Sequence, residues 1–171
     1  MKKAEKQYRP IVLDLFAGCG GFSLGAEAAG FNIAAAVEID PIHALTHHFN
    51  FPYGAIICKD IRNVSRSLIE EKLRISDFNT EIDLIIGGSP CQGFSLIGKR
   101  DKNDTRNQLI YEYARIVNEL KPKYFLFENV PGIINGDTKK IFEDFLKQFP
   151  NYRLEWGPKT PQGHPMPGAI V

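Results

Sequence analysis

The chain has 171 residues, 43% of them hydrophobic and 24% charged, with 21 Lys and Arg against 20 Asp and Glu for a net charge of +1. This is ordinary globular composition, most simply one domain, and a chain of this length buries roughly 70% of its unfolded surface. The charge balance neither demands nor excludes nucleic acid, because a local basic patch is enough to contact phosphates. Three cysteines without metal-ligand spacing, an odd count and no apolar run of bilayer length argue for a soluble, cytoplasmic protein with no metal centre and no membrane contact.

Residues 1–10 are polar and basic (Lys2, Lys3, Lys6, Arg9) and read as a solvated lead-in. The run Ile11-Val12-Leu13-Asp14-Leu15-Phe16 predicts a buried strand, entering the glycine turn Ala17-Gly18-Cys19-Gly20-Gly21 and then a helix from Phe22 to Ala29 that stops at Gly30. Such a turn lets a small ligand lie against bare backbone at a helix N-terminus. Counting from Gly18, Ser23 takes the third glycine position of the dinucleotide fingerprint, so a pyrophosphate cradle is not expected. A second strand, Ile33 to Val37, delivers Glu38-Ile39-Asp40. Glu38 stands twenty residues beyond Gly18, where nucleoside-binding sheets place the carboxylate that accepts from ribose hydroxyls.

Asp40-Pro41 is an N-cap and first helical residue, opening a helix through Phe49. Its His43, His47 and His48 lack the Glu and third ligand of a zinc site and read as surface or packing residues. A strand from Tyr53 to Cys58 ends at Lys59-Asp60-Ile61, and residues 65–75, capped by Ser65, form an amphipathic helix. The buried strand Ile82 to Ile86 then runs into Gly87-Gly88-Ser89-Pro90-Cys91, bringing a thiol to a strand's carboxyl end. The loop from Gln92 to Asn103, longer than usual and carrying Lys99, Arg100 and Lys102 with Arg106 beyond, is a candidate lid. A helix from Asn107 to Leu120 follows, then a strand from Tyr124 to Phe127 ending at Glu128, a helix from Thr138 to Phe149 and a last strand from Tyr152 to Trp156. From Gly157 to Val171 the chain is rich in Gly and Pro and loses its pattern.

Alternating strands and helices predict an α/β fold with a doubly wound, mainly parallel sheet over residues 11–156. Four strand ends then share one edge: the glycine turn, Glu38, Cys91 and Glu128. A thiol of free pKa about 8.5 needs positive charge or a helix N-terminus to ionise, and a carboxyl group enclosed beside it can stay protonated and serve as an acid. A phosphatase-like use of Cys91 would want Arg where Ile97 stands, and a peptidase would want a better-placed His than His164.

Five segments, Asp14 to Gly25, Glu38-Ile39-Asp40, Asp60-Ile61, Gly88 to Ser95 and Glu128-Asn129-Val130, resemble in order the successive motifs of the DNA cytosine-5 methyltransferases. The resemblance implies a Rossmann-like S-adenosylmethionine-dependent methyltransferase fold acting on double-stranded DNA, typically in a restriction-modification system. It implies S-adenosylmethionine packed by Phe16, Gly18, Gly20, Glu38, Ile39, Asp60, Ile61, Pro90 and Leu109. It makes Cys91 the nucleophile toward cytosine C6 and Glu128 the group at N3, with Gln92, Ser95, Lys99, Arg100 and Arg106 at the DNA or in the lid. A base must leave the stack to react.

The family's usual Arg-containing motif after a Pro-Gln pair is not matched by Pro161-Gln162-Gly163-His164-Pro165-Met166, and a target-recognition region is missing before Val171. A catalytic half lacking its C-terminal part, one subunit of a split enzyme whose second chain reads the target, and a remnant without turnover all fit, with exposed apolar surface and a dimer or poor solubility expected. A non-catalytic cofactor- or DNA-binding module and an NAD-dependent oxidoreductase are the readings from other classes.

Overall fold

The computed structural model describes residues 9–90, 108–130, 133, 139–154 and 169–170. The strands are β1 (Ile11–Leu15), β2 (Asn32–Glu38), β3 (Ala55–Cys58), β4 (Leu84–Gly88), β5 (Tyr124–Glu128) and β6 (Ala169–Ile170). The helices are α1 (Gly21–Ala28), α2 (Pro41–Asn50), α3 (Arg66–Ile75), α4 (Leu109–Leu120) and α5 (Lys139–Leu146), with a 3-10 turn at Ile61–Asn63. The sheet order is β3-β2-β1-β4-β5-β6; the first five strands are parallel and β6 pairs antiparallel with β5. The chain reverses its winding between β1 and β4, the switch point where sheets of this kind leave a crevice at their carboxyl edge.

Both faces of the sheet are covered, which is why β1 reads as a continuous apolar run. Leu13 and Leu15 point into a core with Ile69 and Leu73 of α3, Tyr113 and Val117 of α4, and Phe142 and Phe145 of α5. Val12 joins a smaller cluster with Ala26 of α1, Ile33, Phe51 and Ile86. Asp14 alternates with these residues and is therefore carried into the smaller layer, at 1% exposure. Local chemistry sets the helix ends: Asp40 accepts from the N–H groups of Ile42 and His43 ahead of Pro41, and Ser65 accepts from Leu68 N–H.

Three differences from the sequence-based expectations have physical causes. β4 is displaced toward Gly88, because Gly87 and Gly88 stay in the ladder opposite Phe127 and Glu128; a Cβ on Gly87 would lie 2.6 Å from the Leu15 carbonyl oxygen. Tyr152 to Leu154 are not a strand; Tyr152 instead packs edge-on against Phe125 and donates to the Pro122 carbonyl at 2.8 Å. The sixth strand comes from Ala169–Ile170, within the segment that carries no sequence pattern, where ladder bonds to β5 do not require one. On α2, Ile42, Leu45 and Phe49 project from one side and are exposed. Among the described residues no helix is long and apolar enough to cross a membrane.

Candidate functional site

The turn after β1 is built on unusual backbone. Phe16 has φ 59, Gly18 φ 54 and Gly20 φ 99, left-handed values that are costly for Phe and free for Gly. A Cβ added at Gly20 would lie 2.5 Å from the Phe51 ring and 3.1 Å from the His47 ring, so the turn is pressed onto the end of α2. A Cβ at Gly18 would meet nothing within 4 Å, so the space over that glycine is open. Asn50 adds a third tie from α2, donating to the Cys19 carbonyl at 3.0 Å.

Glu38, at the end of β2, fixes the turn from the other side. Its Oε2 accepts from Gly18 N–H and its Oε1 from Asp40 N–H, each at 2.8 Å. Each carboxylate oxygen retains a second lone pair for a ligand hydroxyl. Next to it lies a cavity of about 340 Å³, within the range of about 300–1,000 Å³ usual for small-molecule sites. Of the nine residues assigned to a cofactor from sequence, Phe16, Glu38, Ile39, Asp60, Ile61, Pro90 and Leu109 line this cavity, while Gly18 and Gly20 form the adjoining turn. Asp60 has a partner that sequence reasoning did not foresee: Arg62 grips its carboxylate at 2.6 Å, which holds the carboxyl below its ordinary value. A larger cavity of about 630 Å³ lies among Lys121, Tyr124, Asn151 and Arg153, at the opposite edge of the sheet, and none of the predicted site residues lines it.

At the adjacent strand ends, Gly88 pairs in register with Glu128. A Cβ on Gly88 would lie 3.0 Å from Glu128 Oε2, so the missing side chain makes room for the carboxylate. Buried Asn129 fastens the two exits together, its Nδ2 donating to Ser89 Oγ at 3.3 Å while its Oδ1 accepts from Val130 N–H at 2.9 Å. Glu128 itself is exposed, so the enclosure that can keep such a carboxyl protonated is not supplied by the sheet edge among the described residues. Cys91, immediately after Pro90, and the lid residues Gln92, Ser95, Lys99, Arg100 and Arg106 lie outside the described residues.

Two buried polar clusters carry weight that the sequence reading did not give them. Asp83 Oδ2 accepts from Ile11 N–H at 2.9 Å and Oδ1 pairs with Lys123, tying the starts of three strands. Closer to the site, Ser23 donates to Asp14 Oδ2 at 2.6 Å and lies 3.0 Å from His47 Nε2, linking β1, α1 and α2. Burial pushes the Asp14 carboxyl up to about 7 despite the Ser23 hydrogen bond, and burial lowers His47 below its ordinary value. The packing role expected for His47 is thus joined by a hydrogen bond, while His43 and His48 are exposed. No group of three or more potential metal ligands occurs among the described residues.

Residues 11–156 match the family model of the C-5 cytosine-specific DNA methylases. The type II methyltransferase M.XorII of Xanthomonas oryzae pv. oryzae is 53% identical over 144 residues, 84% of this chain and 33% of the relative. M.DdeI of Desulfomicrobium norvegicum is 45% identical over 128 residues, 75% of this chain and 29% of the relative. Among solved structures, a prophage-encoded E. coli protein assigned as a DNA modification methyltransferase superposes with a TM-score of 0.73 at 38% identity, over 86% of this chain and 39% of that one. The chain spans about a third of the length of the curated relatives M.XorII and M.DdeI.

Proposed function

Since the chain belongs to the C-5 cytosine-specific DNA methylase family, we propose that residues 11–156 are the cofactor-binding and catalytic domain of a DNA (cytosine-5) methyltransferase. It transfers a methyl group from S-adenosylmethionine to C5 of a cytosine flipped out of double-stranded DNA, in the cytoplasm and within a restriction-modification system. One observation carries this reading: the in-register pair of Gly88 and Glu128 sets the exits toward Cys91 and Glu128 side by side, next to a nucleoside-sized cavity with an acid at its wall.

The residues fit S-adenosylmethionine. The open space over Gly18 admits its amino-acid end against bare backbone, and the free lone pairs of Glu38 accept ribose hydroxyls. Phe16, Ile61, Pro90 and Leu109 supply apolar surface for the adenine. When bound, the cofactor provides an electrophilic methyl group on a sulfonium.

Cytosine C5 is a poor nucleophile, and the chain's own task is to change that. The Cys91 thiolate adds to C6, and Glu128 holds a proton at N3, so electron density moves to C5. After C5 has been methylated, loss of its proton and expulsion of Cys91 restore the aromatic ring. Proton transfer of this kind contributes about 10²–10⁴-fold. The flipped base, arriving over the exposed Glu128, encloses the carboxyl that the unliganded edge leaves open. Lys99, Arg100 and Arg106 contact phosphates, with Gln92 and Ser95 against the flipped nucleotide. Target recognition belongs to residues outside this sequence, in a longer polypeptide or a second chain.

The test is transfer of labelled methyl from S-adenosylmethionine to unmethylated genomic DNA, with Cys91→Ser and Glu128→Gln beside the native chain. Label at cytosine C5 that vanishes in Cys91→Ser and drops at least 100-fold in Glu128→Gln is expected. Transfer that survives Cys91→Ser, or label on another atom, would overturn the assignment.

A further inference from the structure

We propose that Asp14, Ser23 and His47 form a proton-linked positioning element beneath the glycine turn, so that binding of the cationic cofactor to the turn releases a proton from Asp14. The inference rests on the cofactor assignment above.

The geometry is that of a three-member chain with one proton to place. Asp14 is 1% exposed; its Oδ2 accepts from Ser23 Oγ at 2.6 Å, and its Oδ1 is enclosed without a hydrogen-bond partner among the described residues. Ser23, 0% exposed, meets His47 Nε2 at 3.0 Å. A hydroxyl donates only one hydrogen. With Asp14 ionised, Ser23 gives that hydrogen to Asp14, and His47 must present Nε2–H to the serine oxygen. With a proton on Asp14 Oδ2, that proton points at Ser23, the serine hydrogen turns to His47 Nε2, and His47 must carry its hydrogen on Nδ1. One proton taken up at His47 Nδ1 and passed along the chain converts the first state into the second, leaving His47 neutral in both.

This chain lies where the cofactor's charge would be felt. His47 is on the helix end that supports Gly20, and Asp14 lies two residues before Phe16 on the strand that delivers the turn. Among the described residues, the titratable groups that act electrostatically with Asp14 and His47 are Glu38 from β2, His48 from α2 and Tyr113 from α4. Glu38 and the enclosed oxygen disfavour the ionised Asp14, and the Ser23 hydroxyl favours it. A sulfonium and an ammonium bound over the turn oppose the first two and draw Asp14 into the ionised state. With Asp14 titrating near 7 in the free protein, linkage makes cofactor affinity rise about tenfold from pH 6 to pH 8, with about half a proton released at pH 7.

The test combines two measurements on the full chain. Calorimetric titration with S-adenosylmethionine at pH 6, 7 and 8, in buffers of different ionisation enthalpy, should show the tenfold gain and the half proton. Both should vanish in Asp14→Asn, and the gain should move to higher pH in Ser23→Ala, which removes the side-chain hydrogen bond favouring ionisation while leaving the backbone N–H in place. Nitrogen-15 NMR of the unliganded chain should show His47 passing from the Nε2–H to the Nδ1–H form as the pH falls through about 7, and not doing so in Asp14→Asn. Binding that is independent of pH in the native chain, or proton release that persists in Asp14→Asn, overturns the proposal. Failure to bind S-adenosylmethionine at any pH overturns the cofactor assignment instead; the NMR measurement then decides the relay alone, a fixed His47 form refuting it.

Discussion

Replacing Glu38 by glutamine asks whether this carboxylate builds the glycine turn as well as contacting the proposed cofactor. Glu38 is 8% exposed and spends one oxygen on Gly18 N–H and the other on Asp40 N–H, both at 2.8 Å. Glutamine keeps one carbonyl oxygen and turns an NH₂ group toward the other N–H, so one of two charge-assisted bonds is lost and the survivor becomes neutral. Hydrogen bonds to charged groups contribute about 1.5–3 kcal/mol and neutral ones about 1 kcal/mol. The expected loss is therefore about 2 kcal/mol or more, concentrated in residues 16–21, and corresponds to about 30-fold in the Kd for S-adenosylmethionine at about 1.4 kcal/mol per tenfold. Amide hydrogen exchange at Gly18 and Asp40 reports the turn directly, and calorimetry reports the Kd. Unchanged exchange at both amides with a Kd within threefold of the native value would refute the reasoning. Faster exchange with an unchanged Kd would separate the two roles and leave Glu38 as a structural residue only.

Asp14→Asn tests the cost of burying a carboxyl. Its folded pKa is raised from 3.8 to about 7, so between those values the folded chain holds a proton that the unfolded chain has lost, and native stability falls as pH rises through this window and is level above it. The interval corresponds to about 4 kcal/mol, so in urea melts the asparagine variant should match the native chain near pH 4 and exceed it at pH 8 by up to that amount; parallel pH profiles would refute this. Asp83→Ala removes the acceptor of the buried Ile11 N–H and the Asp83–Lys123 ion pair, and should lower stability by about 1–3 kcal/mol, read as a lower urea midpoint with an unchanged slope. Gly20→Ala, at φ 99 and with its Cβ 2.5 Å from the Phe51 ring, should cost about 2 kcal/mol and weaken cofactor binding although alanine adds only a methyl group; native-like affinity would show that the turn is softer than this geometry implies.

What was legible in the sequence followed from local chemistry with few solutions. Asp40-Pro41 and Ser65 fixed two helix starts, and Pro122 bounded the end of α4, because caps and prolines act within a turn of themselves. The convergence of strand ends was legible too: five parallel strands bring their carboxyl ends to one edge, so residues read as strand ends had to assemble there, around one cavity. The pairing of β6 with β5 was not, since two residues added to a sheet edge need no periodicity. Nor was the grip of Arg62 on Asp60, which depends on the 3-10 turn at Ile61–Asn63 bringing the guanidinium back over its own cap.

Asp14 is the instructive case, because the signal was present and its meaning was not local. A charged residue in the middle of a five-residue run buried on both faces is an anomaly that physical chemistry demands be answered, by a partner, a proton or both. Periodicity of two places Asp14 opposite Leu13 and Leu15, hence in the layer of α1 and α2, and the short link through the glycine turn leaves the first turn of α1 as the nearest source of a hydroxyl. That selects Ser23, the same residue that replaces the third glycine of the dinucleotide pattern. The substitution that argues against a pyrophosphate cradle is thereby also the one that supplies the buried carboxyl with its donor. His47 cannot be reached by the same steps, because its place beside Ser23 depends on how α2 docks, and docking is set by Phe51 and Gly20 meeting across a gap that no sequence pattern measures.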